Sequence, residues 1–347
     1  MNITKEQTLT IKAIAIFFII IHNFLNVAYN FPIKYNEFEY HSNFLKTFIT
    51  FYQTHSLSAI LIALGYLGVH LFVFISAYGL TKRYENNIPS YTSYLKQRIW
   101  KVYKPYILSF PLFFLTAYIS LSLGNKETFS DYISDNTLNI ISHIFLVQNF
   151  FGDKYTFGLV GPWWFISLIV QFYLVFPFLL KITKNKNYPY IFLLLGIFSI
   201  ISSFYINHHF KDFNAFYILI GWLPVVLFGI YTAKKDIRAI YLLPTSFLIV
   251  IASYFNEYAW YISFIPFTYT LVYFILKIKP YKILLYIGSI SMYLFFVHGI
   301  IKFFFNEIYL YTKNIGEDIL YFVIYLILTV ALSLFLKFLN NLKFKRE

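Results

Sequence analysis

The sequence predicts an all-α integral membrane protein: one domain over residues 1–347, a bundle of about ten transmembrane helices, both termini cytoplasmic. Three observations predict it. Hydrophobic residues make up 59% of the chain and charged residues 12%, about half the charged share of a typical soluble domain. The chain divides into apolar stretches near the ~20 residues that a bilayer-spanning helix needs. Its basic residues gather on one side of those stretches, as the positive-inside rule requires.

The stretches lie at 10–29, 57–80, 106–123, 162–180, 189–206, 217–233, 239–255, 260–276, 283–303 and 319–340. The first is long, lacks a small-residue cleavage site and is followed by more of the same, so it reads as a retained span rather than a signal peptide. A further piece, IISHIFLVQNFF at 140–151, is too short to span and reads as interfacial or re-entrant.

With the N-terminus inside and spans alternating, the inner segments 1–12, 81–105, 181–188, 234–238, 277–282 and 337–347 hold 21 of the 28 Lys and Arg. The three Arg-bearing segments (Arg83 and Arg98, Arg238, Arg346) are all inside. A full span at 140–151 would invert everything after it and erase the bias. The net charge of +13 therefore belongs to membrane orientation, and no nucleic-acid partner is expected. Tyr103, Tyr106, Trp163, Trp164, Trp260 and Tyr261 fall at span ends, where aromatic belts form. The chain has no Cys, which excludes disulfides, thiolate catalysis and zinc–thiolate sites.

Polar residues at membrane depth carry the chemistry. An ionisable group at mid-bilayer costs roughly 2.5–3.5 kcal/mol on insertion scales and is a functional candidate by default. His22 lies ten residues beyond Lys12 on span one, about 15 Å along a helix. His70 lies ten residues from the inner end of span two, so the two imidazoles are expected at similar depth. Ser76 is lower on span two; Ser289 and Ser291 are low and His298 high on span nine; span four carries Trp164, Gln171 and Tyr173. The structural alternative for each is helix packing, since a single intramembrane hydrogen bond contributes about 0.6 kcal/mol. His41, His55, His143, His208 and His209 are expected to be solvated, and no metal site is expected. The segment 81–105 holds six basic residues and one acid. It either sets topology or clamps an anionic cytosolic ligand, with Arg98 as a fork and Lys101 as a point charge on the same helix face.

Taken in order, IKAIAIFFIIIH, LGVHLFVFISAYGLTKRY, YLKQRIWKVYKPY, GPWWFISLIVQFYLVFPFLL and GSISMYLFFVHG resemble the motifs of acyltransferase family 3, polytopic membrane enzymes that modify bacterial surface glycans. The first is similar to a basic residue followed by an apolar run ending in His. The second carries Gly68, Val69, Phe72 and Ser76, the third an R-x-x-R-like element, the fourth a W-F…Q-x-Y…P span. The resemblance implies acyl transfer across the bacterial cytoplasmic membrane, with no bound cofactor. Cytosolic acyl-CoA (acetyl-CoA or succinyl-CoA) is the expected donor. A glycan or lipid-linked sugar is the expected acceptor, and glycan-synthesis machinery a further expected partner.

By the same resemblance His22 is catalytic, Arg98 and Lys101 bind acyl-CoA, and Lys12, His70, Ser76, Tyr173, Ser291 and His298 support them. The chain departs from the family pattern in three places. Nine residues, not ten, separate Lys12 from His22, so Asn23 stands where the usual spacing puts His. Lys101 replaces the second Arg, and Ala77 the Gly after Ser76. The nine-residue gap leaves Lys12 and His22 about 80° apart on an α-helix, an offset that a long Lys side chain or a local π-bulge would absorb. The competing class is a polysaccharide transporter or flippase with His22 and His70 as a proton relay. No internal repeat and no mid-span Asp or Glu favours that reading.

Overall fold

Why the apolar stretches become helices follows from the solvent: in a bilayer every backbone N–H and C=O must find a partner within the segment. The computed structural model describes residues 2–28, 38–65, 67–124, 128–235, 242–309 and 315–342. Among them the regular structure is helix alone, with no strand. Arg238, Arg346 and most of the inner segment 234–238 lie outside the described residues.

The helices are α1 (Lys5–Ala28), α2 (Phe44–Thr54), α3 (Ser56–Gly65), α4 (Leu67–Tyr84), α5 (Tyr91–Gly124), α6 (Phe129–Asp135), α7 (Thr137–Ile144) and α8 (Asp153–Thr156). They continue with α9 (Trp164–Ile182), α10 (Tyr188–His209), α11 (Leu219–Lys234), α12 (Leu243–Ser253), α13 (Glu257–Ile262), α14 (Phe264–Ile275), α15 (Lys282–Tyr309) and α16 (Ile315–Asn341). Seven segments among the described residues are long and apolar enough to cross a membrane: α1, α3 with α4, α5, α9, α10, α15 and α16. Three shorter apolar helices, α11, α12 and α14, stand where the sequence predicts spans six to eight. Length and composition alone mark seven crossings.

Two predicted boundaries move. Helix α5 begins at Tyr91, well before the predicted span at 106, so Arg98 and Lys101 sit on a helix continuous with the apolar part; Pro105 and Pro111 lie inside it. The stretch 140–151 breaks after α7. Leu146 has φ 58°, residues 148–150 form a single 3₁₀ turn, and the segment docks on α5 and α9. Tyr103 and Tyr106 donate to the carbonyls of Ile144 and His143, and Ser167 donates to that of Leu146.

Helix directions follow from paired contacts. Helices α1 and α15 are parallel and in register. A Cβ on Gly288 would meet the Leu9 carbonyl, and the Lys302 ammonium meets Asn23 fourteen residues further along both helices, the same separation of 279 positions each time. Helix α4 runs against α1, with Gly68 on Ala15. Helix α11 runs with α4, through His70–Trp222 and Ala77–Gly229. Helices α9 and α5 are antiparallel, through Tyr94–Phe176 and Tyr106–Trp163. The centre is α1, α4 and α15. Helices α10 and α16 are mostly exposed in the isolated chain and face lipid. Tyr106, Trp163 and Trp164 are buried rather than at the headgroups, because the Trp163 indole donates to the Phe296 carbonyl and Trp164 packs on Trp222.

Candidate active site

Helix α1 carries two polar levels. The outer one is centred on His22, which is 2% exposed. Its Nδ1 lies 2.8 Å from the Ile62 carbonyl and its Nε2 2.8 Å from Asn26 Nδ2. A carbonyl only accepts, so Nδ1 carries the proton and the Nε2 lone pair receives the Asn26 N–H. The partners assign this tautomer, a neutral imidazole with its basic nitrogen turned toward Asn26, one turn further along α1. Gly65 makes the approach of α3 possible, since a Cβ there would stand 2.0 Å from His22 Cβ.

Beside His22, Asn23 donates to the Ile19 carbonyl and accepts from Lys302 Nζ at 2.9 Å. Asn26 and Lys302 are polar side chains at this level that sequence reasoning did not single out, and it named Asn23 only as the residue in the usual place of the His. Asn26 had a signal, an H-x-x-x-N spacing that stacks the two on one helix face. Lys302 lies one residue from the end of the stretch 283–303 and was not singled out.

The inner level is cationic. Lys12 lies within electrostatic reach of Lys101, which in turn lies near Arg98 and Arg83. Like charges gather here because α1, α4 and α5 converge at their inner ends. Arg98 is buried, and its Nε and Nη2 both donate to the Tyr84 hydroxyl at 3.0 and 2.7 Å, with the guanidinium 4.9 Å from that ring's centroid. This fixes one edge of the fork and uses two of its five donors. Tyr173 belongs to the same cluster, near Arg98 and Tyr84. Such a cluster is suited to a polyanion. The register places Ser291 level with Lys12, but its hydroxyl donates to the Gly288 carbonyl. Ser76 is half-buried on α4.

Lys12 and His22 are not brought together. Helix α1 is α-helical from Lys5 to Ala28 with no π segment, so nothing absorbs the angular offset. The two stay about 15 Å apart in rise.

His70 is not at the depth of His22 either. Gly65 packs level with His22, and His70 follows it by five positions, roughly 7.5 Å toward the inner end. Two residues beyond Gly68, it turns away from α1. It stacks on Phe264 at 4.7 Å, meets the Trp222 edge at 5.0 Å and lies 3.4 Å from the Thr268 hydroxyl. The offset arises because α1 begins at Lys5, so Lys12 lies seven residues inside it and is not level with Leu80. His298 is level with Ile19, its Nδ1 on the Leu294 carbonyl and its own carbonyl receiving the Tyr325 hydroxyl.

His143 is buried, not solvated. Its Nδ1 donates to the Asn139 carbonyl, and burial pushes its pKa down to about 4. His208 lies 3.4 Å from Glu257. Among the described residues no group of His, Asp or Glu is placed to hold a metal.

The described residues thus form a multi-pass helical bundle with a buried, hydrogen-bonded histidine above a cationic cluster of which Arg98 is buried. The acyltransferase domain of acyltransferase family 3 matches residues 10–338, nearly the whole chain. The chain belongs to acyltransferase family 3, and the protein is a membrane acyltransferase. No curated protein and no solved structure matches it.

Proposed function

We propose that the protein is an O-acyltransferase of the bacterial cytoplasmic membrane. It moves an acetyl or succinyl group from cytosolic acyl-CoA to a hydroxyl of an extracytoplasmic glycan or lipid-linked sugar. It works with ten crossings and both termini inside. The observation that carries this reading is the two-level arrangement on α1. The inner level, with Arg98, Lys101 and Lys12, suits the CoA phosphates, since Arg and Lys bind phosphate through charge-assisted hydrogen bonds. The outer level offers a neutral imidazole, which serves as general base or acyl carrier. The two levels lie ~15 Å apart along α1.

As base, His22 Nε2 gives up the Asn26 N–H and takes the sugar hydroxyl proton, while Nδ1–H stays on the Ile62 carbonyl and holds the ring in place. Loss of a general base typically costs 10²–10⁴ in rate. His22→Ala is therefore expected to abolish glycan acylation, read as the loss of the acyl mass increment on surface polysaccharide, at unchanged membrane abundance. Retained acylation would overturn the reading. Altered export of unmodified glycan would point to transport.

A further inference from the structure

We propose that Tyr84 is the positioning residue of the inner anion site: its hydroxyl holds the Arg98 guanidinium by one edge, so that the other edge meets a phosphate of acyl-CoA. The inference rests on the function proposed above and deepens it.

Arg98 is 8% exposed. A buried charge is costly unless it is paired, and among the described residues no carboxylate pairs with it. The one acid of the segment 81–105, Glu85, lies 3.9 Å from Lys234 instead. The charged neighbour of Arg98 is another cation, Lys101, one turn further along α5. What Arg98 has is Tyr84, the last residue of α4. Its Nε and Nη2 both donate to the Tyr84 hydroxyl, at 3.0 and 2.7 Å. These two nitrogens make the side edge of the planar guanidinium, and Nη1 with Nη2 makes the end edge. Either edge can meet two oxygens of a phosphate in parallel. Tyr84 takes the side edge, and among the described residues Nη1 donates to nothing. The end edge is thereby kept for an anion.

Tyr84 is itself a fixed post. It is buried, its ring meets the edge of Tyr94 on α5 at 5.4 Å, and Tyr94 stacks on Phe176 of α9 at 6.1 Å. Three helices thus hold one guanidinium in one orientation. Lys101, three residues on, follows on the same helix face, so an oriented fork stands beside a point charge. A freely swinging arginine gives up its rotamer freedom when the ligand binds, and that loss weakens binding. Arg98 has already given it up on folding.

The test uses the full chain purified into lipid nanodiscs, with coenzyme A as the probe and its equilibrium dissociation constant as the readout. The maximal rate at saturating acetyl-CoA is read as thiol release in inside-out vesicles, which carry the native acceptor. Tyr84→Phe keeps the ring and removes the hydroxyl. It is expected to weaken CoA binding about 10-fold, with the maximal rate within about threefold of the parent. In an Arg98→Lys background no fork is left to orient, and Tyr84→Phe is expected to weaken binding by less than about twofold more. A Tyr84→Phe constant within about twofold of the parent overturns the proposal, as does an equal loss of binding in the two backgrounds. A fall in maximal rate as large as the fall in binding marks a structural role and overturns it too. If Tyr84→Phe does not accumulate, Tyr84→Met decides by the same criteria. If the parent binds no CoA, or Arg98→Ala binds it as the parent does, the reading of the inner level as the acyl-CoA site is itself overturned. Weakened binding in Arg98→Ala beside parental binding in Tyr84→Phe overturns the Tyr84 assignment only.

Discussion

His22 and His143 show how one residue type takes opposite roles. Both are buried and both donate Nδ1–H to a carbonyl, but His22 sits where Asn26 and Asn23 give its surroundings polar contacts. His143 sits in the docked turn under α5 with its pKa pushed down to about 4. Its folded pKa lies below the unfolded ~6.5, so the unfolded chain binds the extra proton first. The stability from neutral His143 is complete above about pH 6.5 and is lost as pH falls toward 4, on the order of 3 kcal/mol in full. His143→Gln should therefore flatten the acid dependence of the melting temperature between pH 7.5 and 4.5. Equal slopes in parent and variant would refute this. No sequence signal marked His143 as buried: it lies in a short polar-flanked helix, and only the docking of that helix on Tyr106 removes it from water.

Among the helices, glycines set how close α1 comes to its neighbours. Small residues let transmembrane helices approach to backbone contact. A Cβ at Gly288 would lie 2.0 Å from the Leu9 carbonyl oxygen, and one at Gly65 equally close to His22 Cβ, whereas Gly79 and Gly196 have nothing within 4 Å. Gly288→Ala should thus lower the melting temperature and Gly65→Ala should cut acylation by displacing His22, with Gly79→Ala and Gly196→Ala as neutral controls in both measurements. If all four variants behave alike, the close packing of α1 is wrong. Apolar periodicity and motif order located α1, α4, α9 and α15 in the sequence. Their register was not legible there, because it depends on which glycine meets which carbonyl. That is why Asn23–Lys302 was missed and the depth of His70 misjudged.

Across the whole molecule, the charge asymmetry and the helix directions point the same way. Four long segments separate α1 from α15. With those four alone crossing, α15 would run against α1. It runs with α1, as an odd number of further crossings by α11, α12 and α14 would produce. The proposed ten-crossing arrangement can be read by single-cysteine labelling in the Cys-free chain. Lys211→Cys and Tyr258→Cys should react with an impermeant maleimide in intact cells, and Lys279→Cys only after permeabilisation. Labelling of Lys279→Cys from outside would discard this topology. The class of fold was legible from composition and basic bias because the bilayer imposes both. Helices α11, α12 and α14 are shorter than the stretches at 217–233, 239–255 and 260–276, because apolar runs do not reveal where a helix breaks.

The in-register pairing of α1 with α15 also limits how the enzyme works as a machine. Leu9–Gly288 contact and the Asn23–Lys302 bond lie fourteen residues apart, so a slide of one helix past the other by a single turn, 5.4 Å, would break both. The pair behaves as a fixed ruler rather than a piston. Under the proposed function, a donor whose phosphates sit at the cationic end reaches His22 by the stretch of its own flexible carrier arm, and a donor analogue with a shortened arm would be held without reacting.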